Sequence, residues 1–182
     1  MSRIFPKFGL KSFRRDERAV SAVEFALLAP MMIGLYLGGV EISEDISVDR
    51  KVTLAAGAVA NLAAQTATLS TSQMTDVLDA TTAIIAPYST GPLKITVSCI
   101  NIDANKVATV KWSVTRNGAT RSGGIALPSA LQVANTQLIF GETSYTYTPT
   151  IGHVIKSSIT LSDSMYMAPR ISAPNYNGTA CT

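Results

Sequence analysis

Apolar residues dominate positions 20–40, which read VSAVEFALLAPMMIGLYLGGV with Glu24 as the single charge. As a helix this stretch reaches about 30 Å, the thickness of a bilayer's hydrocarbon core, so the pattern predicts a membrane-spanning helix. Beyond it, Val48, Val52, Ala55, Val59 and Leu62 alternate at spacings of four and three. That is one apolar stripe of a helix continuing out of the membrane, read as core. The small run at 55–60 suits close helix packing. A Thr/Ser-rich linker follows at 66–72, and Ser70 or Ser72 is placed to cap a second helix. Met74, Val77, Leu78, Thr81, Ile84 and Ile85 share one face of it, and Pro87 ends it before a turn over Ser89-Thr90-Gly91-Pro92.

After Pro92 the period falls to two. Ile95, Val97 and Cys99 alternate with polar residues, Asp103-Ala104-Asn105-Lys106 makes a turn, and Val110, Trp112 and Val114 alternate on the return. This predicts a hairpin. The stretch 116–124 reads as a polar loop and 129–132 as a short helical turn. Residues 138–148 and 155–161 read as further strands. Helices first and an antiparallel sheet after make an α+β fold. Three regions follow: a basic leader over 1–19, a membrane helix over 20–40 and a folded domain over 41–182.

Charge sharpens this picture. The chain has 182 residues, 47% hydrophobic and 15% charged, against roughly a quarter charged in soluble domains. The net charge is only +3, but Arg3, Lys7, Lys11, Arg14, Arg15 and Arg18 crowd before the apolar segment, and Glu41, Glu44, Asp45 and Asp49 follow it. The positive-inside rule places 1–19 in the cytoplasm and the domain outside. The basic tail lacks the aromatic interleaving that base stacking needs, which argues against nucleic acid. A cleaved secretory signal would have a shorter apolar core of about 7–15 residues and a small-residue site after it; a retained anchor fits better. Residues 41–51 with their mixed charges read as a solvated collar.

Inside the predicted span, Glu24 costs about 2.5–3.5 kcal/mol at a bilayer centre and less near the ends. It sits in the second turn, where the helix dipole favours an anion. Pro30 removes one helix hydrogen bond. Gly34 and Gly38 form GxxxG, which lets two helices approach closely.

Cys99 and Cys181 belong to no metal-ligand spacing. Far apart in an exported domain, they point to a disulfide rather than to free thiols, one that would pin the tail to the sheet. Catalytic signals are missing. His153 is the only histidine, beside Gly152 in a turn, and no GxSxG, P-loop or GxGxxG occurs. Asp76 and Asp79 read as solvent-facing, and Tyr145, Tyr147 and Tyr166 as sheet packing rather than a sugar platform. The chain reads as a non-enzymatic protein without cofactor, metal or small-molecule substrate.

The string Ala19-Val20-Ser21-Ala22-Val23-Glu24-Phe25-Ala26-Leu27-Leu28-Ala29-Pro30 resembles the N-terminal signature of TadE-like proteins, minor pilin-like components of the tight-adherence (Flp) pilus machinery. That signature is a basic leader, a small residue, four variable residues, then Glu-Phe or Glu-Tyr opening an apolar helix with a proline. Tyr145-Thr146-Tyr147-Thr148-Pro149 is similar to the family's Tyr-x-Tyr-x-Pro strand. Tyr166-Met167-Ala168-Pro169-Arg170 with Cys181 is similar to its closing segment. The resemblance implies a single-pass protein of the bacterial inner membrane with a pilin-like periplasmic domain. It implies other pilin-like subunits, an inner-membrane assembly platform and a prepilin peptidase as partners. Leader cleavage would fall between Ala19 and Val20, with alanine where the family usually has glycine. Glu24 would then be the fifth residue and would neutralise a neighbour's terminal ammonium. Phe25, Pro30, Gly34 and Gly38 would serve helix packing with it. The competing reading is a membrane-anchored binding or sensory module whose sheet recognises a ligand.

Overall fold

The computed structural model describes residues 17–149, 157–172 and 174–182. A single helix, α1 (Glu17–Ala64), runs 48 residues and passes through Pro30 without a break, a length of roughly 70 Å at 1.5 Å per residue. The helix does not end where the apolar span ends; residues 40 and 41 are consecutive positions of it. Two-residue β1 (Thr68–Leu69) leads into α2 (Thr71–Thr82). Ser70 is its cap: Gln73 N–H donates to Ser70 Oγ at 3.3 Å, and Ser70 N–H donates to Gln73 Oε1 at 2.9 Å. Two of the orphan donors at the helix start are satisfied by this reciprocal box. A 3₁₀ turn, Ala83–Ile85, finishes the segment, and its free carbonyls at Ile84 and Ala86 accept from Lys51 Nζ at 3.1 and 2.7 Å.

The strands β2 (Leu93–Ile102), β3 (Ala108–Arg116), β4 (Gly123–Gly124), β5 (Thr136–Tyr147) and β6 (Ile159–Met167) form one antiparallel sheet in the order β4-β3-β2-β5-β6. The fold is α+β, as the change of period predicts. The β2–β3 turn falls where expected: Val107 N–H donates to Asp103 Oδ1 at 2.8 Å, and Lys106 takes φ 64°. The last long strand differs from the expected 155–161. It begins at Ile159 and runs to Met167; Ile155 and Lys156 lie outside the described residues.

One face of the sheet packs on the helices. Leu93, Ile95, Val97 and Cys99 of β2 and Ile139, Tyr145 and Tyr147 of β5 are buried there with Val48, Val52 and Val59 of α1 and Met74 and Leu78 of α2. The buried positions on α1 form a paired seam of Ala55, Ala56, Val59, Ala60, Ala63 and Ala64, with Leu62 only half-buried at its margin. The seam's small side chains meet Gly141 of β5. A Cβ there would stand 2.7 Å from Ala56 O and 2.8 Å from Val59 Cγ1. Thr143 Oγ1 fastens the same crossing by donating to Val52 O at 2.8 Å. The Ala-rich run therefore serves a close helix–sheet approach.

The opposite face holds a second cluster of Ile100, Ile102, Ala108, Leu127 and Phe140, with Val110 packed against it. The hairpin reading put Val110 on the same face as Trp112. A register shift between Cys99 and Ile100 pairs Cys99 with Trp112 and Ile100 with Val110, leaving Lys111 as the extra residue. A bulge reverses the facing of everything beyond it, so Val110 turns to the second cluster.

Candidate functional site

The predicted site residues divide between two places. Val20, Glu24, Phe25 and Pro30 all lie exposed on the first half of α1, and Ala19 occupies the turn before them. Phe25 is 71% exposed and Leu27 73%. Gly34 has open space where a Cβ would stand, whereas Gly38 is buried. Among the described residues, one helix is long and apolar enough to cross a membrane, and its most apolar window is wholly uncovered by the rest of the chain.

The second place is the tail. Cys99 and Cys181 are joined, with Cα atoms 6.0 Å apart and a sequence separation of 82. Their sulfurs lie in the helix-side core, and Cys181 is buried. Around this link the tail is held by ordinary polar contacts. Trp112 Nε1 donates to Pro174 O at 3.0 Å, and the Trp112 and Tyr176 rings lie 5.6 Å apart. β7 (Asn175–Tyr176) pairs in parallel with β1. Arg170 N–H donates to Ala64 O at 2.9 Å, and its Nη2 donates to Asn61 Oδ1 at 2.8 Å. The last turn of α1 thus receives a donor for an otherwise free carbonyl.

Where the exposed half of α1 meets the domain, the expected collar is solvated only in part. Glu41 is buried, at 1% exposure. Glu44 Oε2 accepts from Tyr147 Oη at 2.9 Å. Burial first, then the Glu44 hydrogen bond and the charges of Glu44 and Asp45, push the Tyr147 phenol up to about 12. Lys51 is spent on the 3₁₀ carbonyls. Of the charged residues of this stretch, only Asp49 and Arg50 are freely exposed. Leu35, Tyr36, Gly39, Val40, Ser43, Glu44, Ser47 and Tyr88 line a groove of about 510 Å³ at this junction. The tyrosine pattern reads correctly as packing for Tyr145 and Tyr147: both are buried, and Tyr145 Oη donates to Ser89 O at 3.0 Å. Asp76 and Asp79 face solvent as read, and Asp79 pairs there with Arg116 of β3.

A third feature has no counterpart in the motif search. On the sheet face away from α1 lies a cleft of about 570 Å³. Its floor is formed by Thr96 of β2, Glu142 and Ser144 of β5, and Ser162 and Ser164 of β6; the segment 118–121 makes a wall. Arg121 closes that wall with a two-pronged pair to Glu142, Nη2 to Oε1 at 2.6 Å, and lies 5.5 Å from the centre of the Phe140 ring. The Glu142 hydrogen bond raises the Arg121 pKa above its ordinary value. Phe140 stacks on Tyr166 at 4.3 Å. The sequence carries a trace of this face: hydroxyls at 96 and 98, at 144 and 146, and at 162 and 164 keep the polar phase of three strands. Among the described residues no cluster of three metal-binding side chains occurs, and His153 lies outside them. No protein-family model, no curated protein and no solved structure matches the chain.

Proposed function

We propose that this chain is a membrane-anchored, minor pilin-like component of a tight-adherence (Flp-type) pilus assembly system, acting by subunit packing rather than catalysis. The observation that carries the reading is the first half of α1. Ten bulky side chains between Val20 and Tyr36 stand half-exposed or more. At about 1.5–3 kcal/mol for full burial of each such side chain, leaving them in water costs on the order of 10 kcal/mol. Such a face calls for lipid or other helices. The resemblance around Glu24 supplies the specific version: an inner-membrane span, the N-terminus cytoplasmic, the domain periplasmic, and neighbours that are other pilin-like subunits on an assembly platform.

Glu24 is the test. It stands exposed on the uncovered half, and a carboxylate in lipid is tolerable when paired. Replacing Glu24 by alanine leaves membrane insertion intact and removes the partner of a neighbouring ammonium, at about 3–5 kcal/mol per contact. Pilus number counted by electron microscopy is expected to collapse, while the membrane-extracted protein stays at its normal level. Normal piliation would remove the pairing role. Intact mass of the extracted protein, expected to start at Val20, tests the processing step separately.

The second reading, an anchored binding module, is favoured by one observation, the polar cleft at Glu142. It requires a ligand, whereas the first reading does not.

A further inference from the structure

The groove where α1 joins the domain runs along the helix from Leu35 to Ser47, so it crosses the end of the predicted span at residue 40. At 1.5 Å per residue, Glu44 stands about 6 Å past that end. The polar headgroup layer on each side of a bilayer is roughly 5–8 Å deep. The lower part of the groove, Leu35, Tyr36 and Val40, is therefore level with acyl chains. Its upper part, Ser43, Glu44 and Ser47, begins level with headgroups. Gly39 supplies a notch between the two, since nothing stands within 4 Å of where its Cβ would be. The volume, about 510 Å³, lies within the range of small-ligand sites, about 300–1,000 Å³.

Among the described residues, Glu44 is the one charged side chain lining the groove. Its Oε2 accepts from Tyr147 Oη at 2.9 Å, and its Oε1 makes no hydrogen bond to any described residue. Two tyrosines line the groove with it: Tyr36, 72% exposed, and Tyr88, half-buried. The Tyr88 wall is fixed. Tyr88 N–H donates to Ile85 O at 3.0 Å, and Lys51 Nζ holds the carbonyls of Ile84 and Ala86 against α1. Lys51 itself stands roughly 16 Å past residue 40, above the headgroup layer, so it does not offset Glu44 there. A carboxylate beside aromatic side chains attracts a cation and repels an anion. We propose that the groove binds a phospholipid whose headgroup ends in a primary ammonium, with that ammonium on Glu44 and an acyl chain along Leu35 and Val40. The inference rests on the membrane span of the proposed function and not on its pilus role.

The test uses the full chain in nonionic detergent micelles. Phosphatidylethanolamine and phosphatidylglycerol with identical acyl chains are added in equal amounts, and native mass spectrometry counts the lipids that the protein retains. Preference for phosphatidylethanolamine is expected, by about tenfold in apparent affinity. Glu44→Gln is expected to erase that preference. Gly39→Leu, which fills the notch from an open position, is expected to erase it as well. Near-UV circular dichroism of Trp112, in the domain core, reports whether each variant keeps its fold. Equal retention of the two lipids by the wild type overturns the proposal. So does a preference that folded Glu44→Gln keeps; where that variant does not fold, Gly39→Leu decides in the same way. A dimer that Gly39→Leu dissolves, with no selective lipid retained, overturns it too and assigns the groove to a second copy. Flotation of the full chain with vesicles on a density gradient checks the span separately. A chain that does not float loses the membrane reading, whereas one that floats without lipid preference loses only this site.

Discussion

The two halves of α1 are both apolar, yet they meet opposite surroundings. In the first half the side chains are large: Phe25, Leu27, Leu28, Met31, Met32 and Leu35 are each more than half exposed. In the second half they are small: Ala55, Ala56, Ala60 and Ala63 are completely buried. Size, not hydrophobicity, separates them. A fluid environment accommodates bulky side chains at any rotation, whereas a pleated sheet accepts a helix at short range only where neither surface protrudes. Gly141 is the matching gap in β5, with Ala56, Val59 and Ala60 all within 3 Å of where a Cβ would be. A thin exposed line from the first half persists along the second as Ile42, Ile46 and Leu54. The docked half is therefore seated on one side and open on the other.

The strongest way to break this contrast is to release the clamp at the end of the docked half. The tail bonds to Ala64 and Asn61 of α1 and is tied to β2 by Cys99–Cys181. Replacing both cysteines by alanine is expected to destabilise the domain by about 2–5 kcal/mol, as loss of a native disulfide commonly does. Denaturant unfolding followed by Trp112 fluorescence measures it. Hydrogen exchange is expected to speed up over the last turns of α1 and to stay unchanged in its first half. Equal acceleration in both halves would mean that the two are not independent.

Two glycines sharpen the comparison further. Gly141→Ala drives a methyl group against the backbone of α1 and is expected to cost about 1–3 kcal/mol as overpacking. Gly34→Ala enters open space and helix propensity favours it by roughly 0.5–1 kcal/mol. The same substitution should thus lower the unfolding midpoint at one site and leave it unmoved or slightly raised at the other. A large loss from Gly34→Ala would show that the first half is also docked.

Much of this was legible from pattern. The period of the stripe from Val48 to Val59, the Ser70 cap and the β2–β3 hairpin are local features, and local spacing encodes them. What pattern missed depends on partners distant in sequence. Glu44 and Lys51 look like surface charges until Tyr147 and the 3₁₀ carbonyls arrive from residues up to 103 positions away. The Lys111 bulge leaves no mark, because Val110, Trp112 and Val114 alternate as well with it as without it. The cleft is a product of register: Ser144 and Ser162 become neighbours only when β5 and β6 align.

The finest probe lies at the boundary between the halves, where Tyr147 donates to Glu44. The phenol is held neutral by burial and by the adjacent carboxylates, so its pKa rises from the ordinary 10 to about 12 in the folded protein. Between these values the native state binds more protons than the unfolded chain, and stability falls as pH rises. The contribution is fully present below pH 10 and is lost as pH climbs through the folded pKa. Tyr145, raised by burial and by Tyr88, adds to the same fall, so the wild type alone does not isolate the contact. Tyr147→Phe removes one titrating group and the hydrogen bond together. It is expected to be slightly less stable than the wild type at neutral pH and to lose less between pH 10 and 12. Thermal unfolding midpoints at both ends of that window measure the difference. Parallel pH profiles for the two proteins would mean that Tyr147 does not titrate with folding and that the junction is open to water.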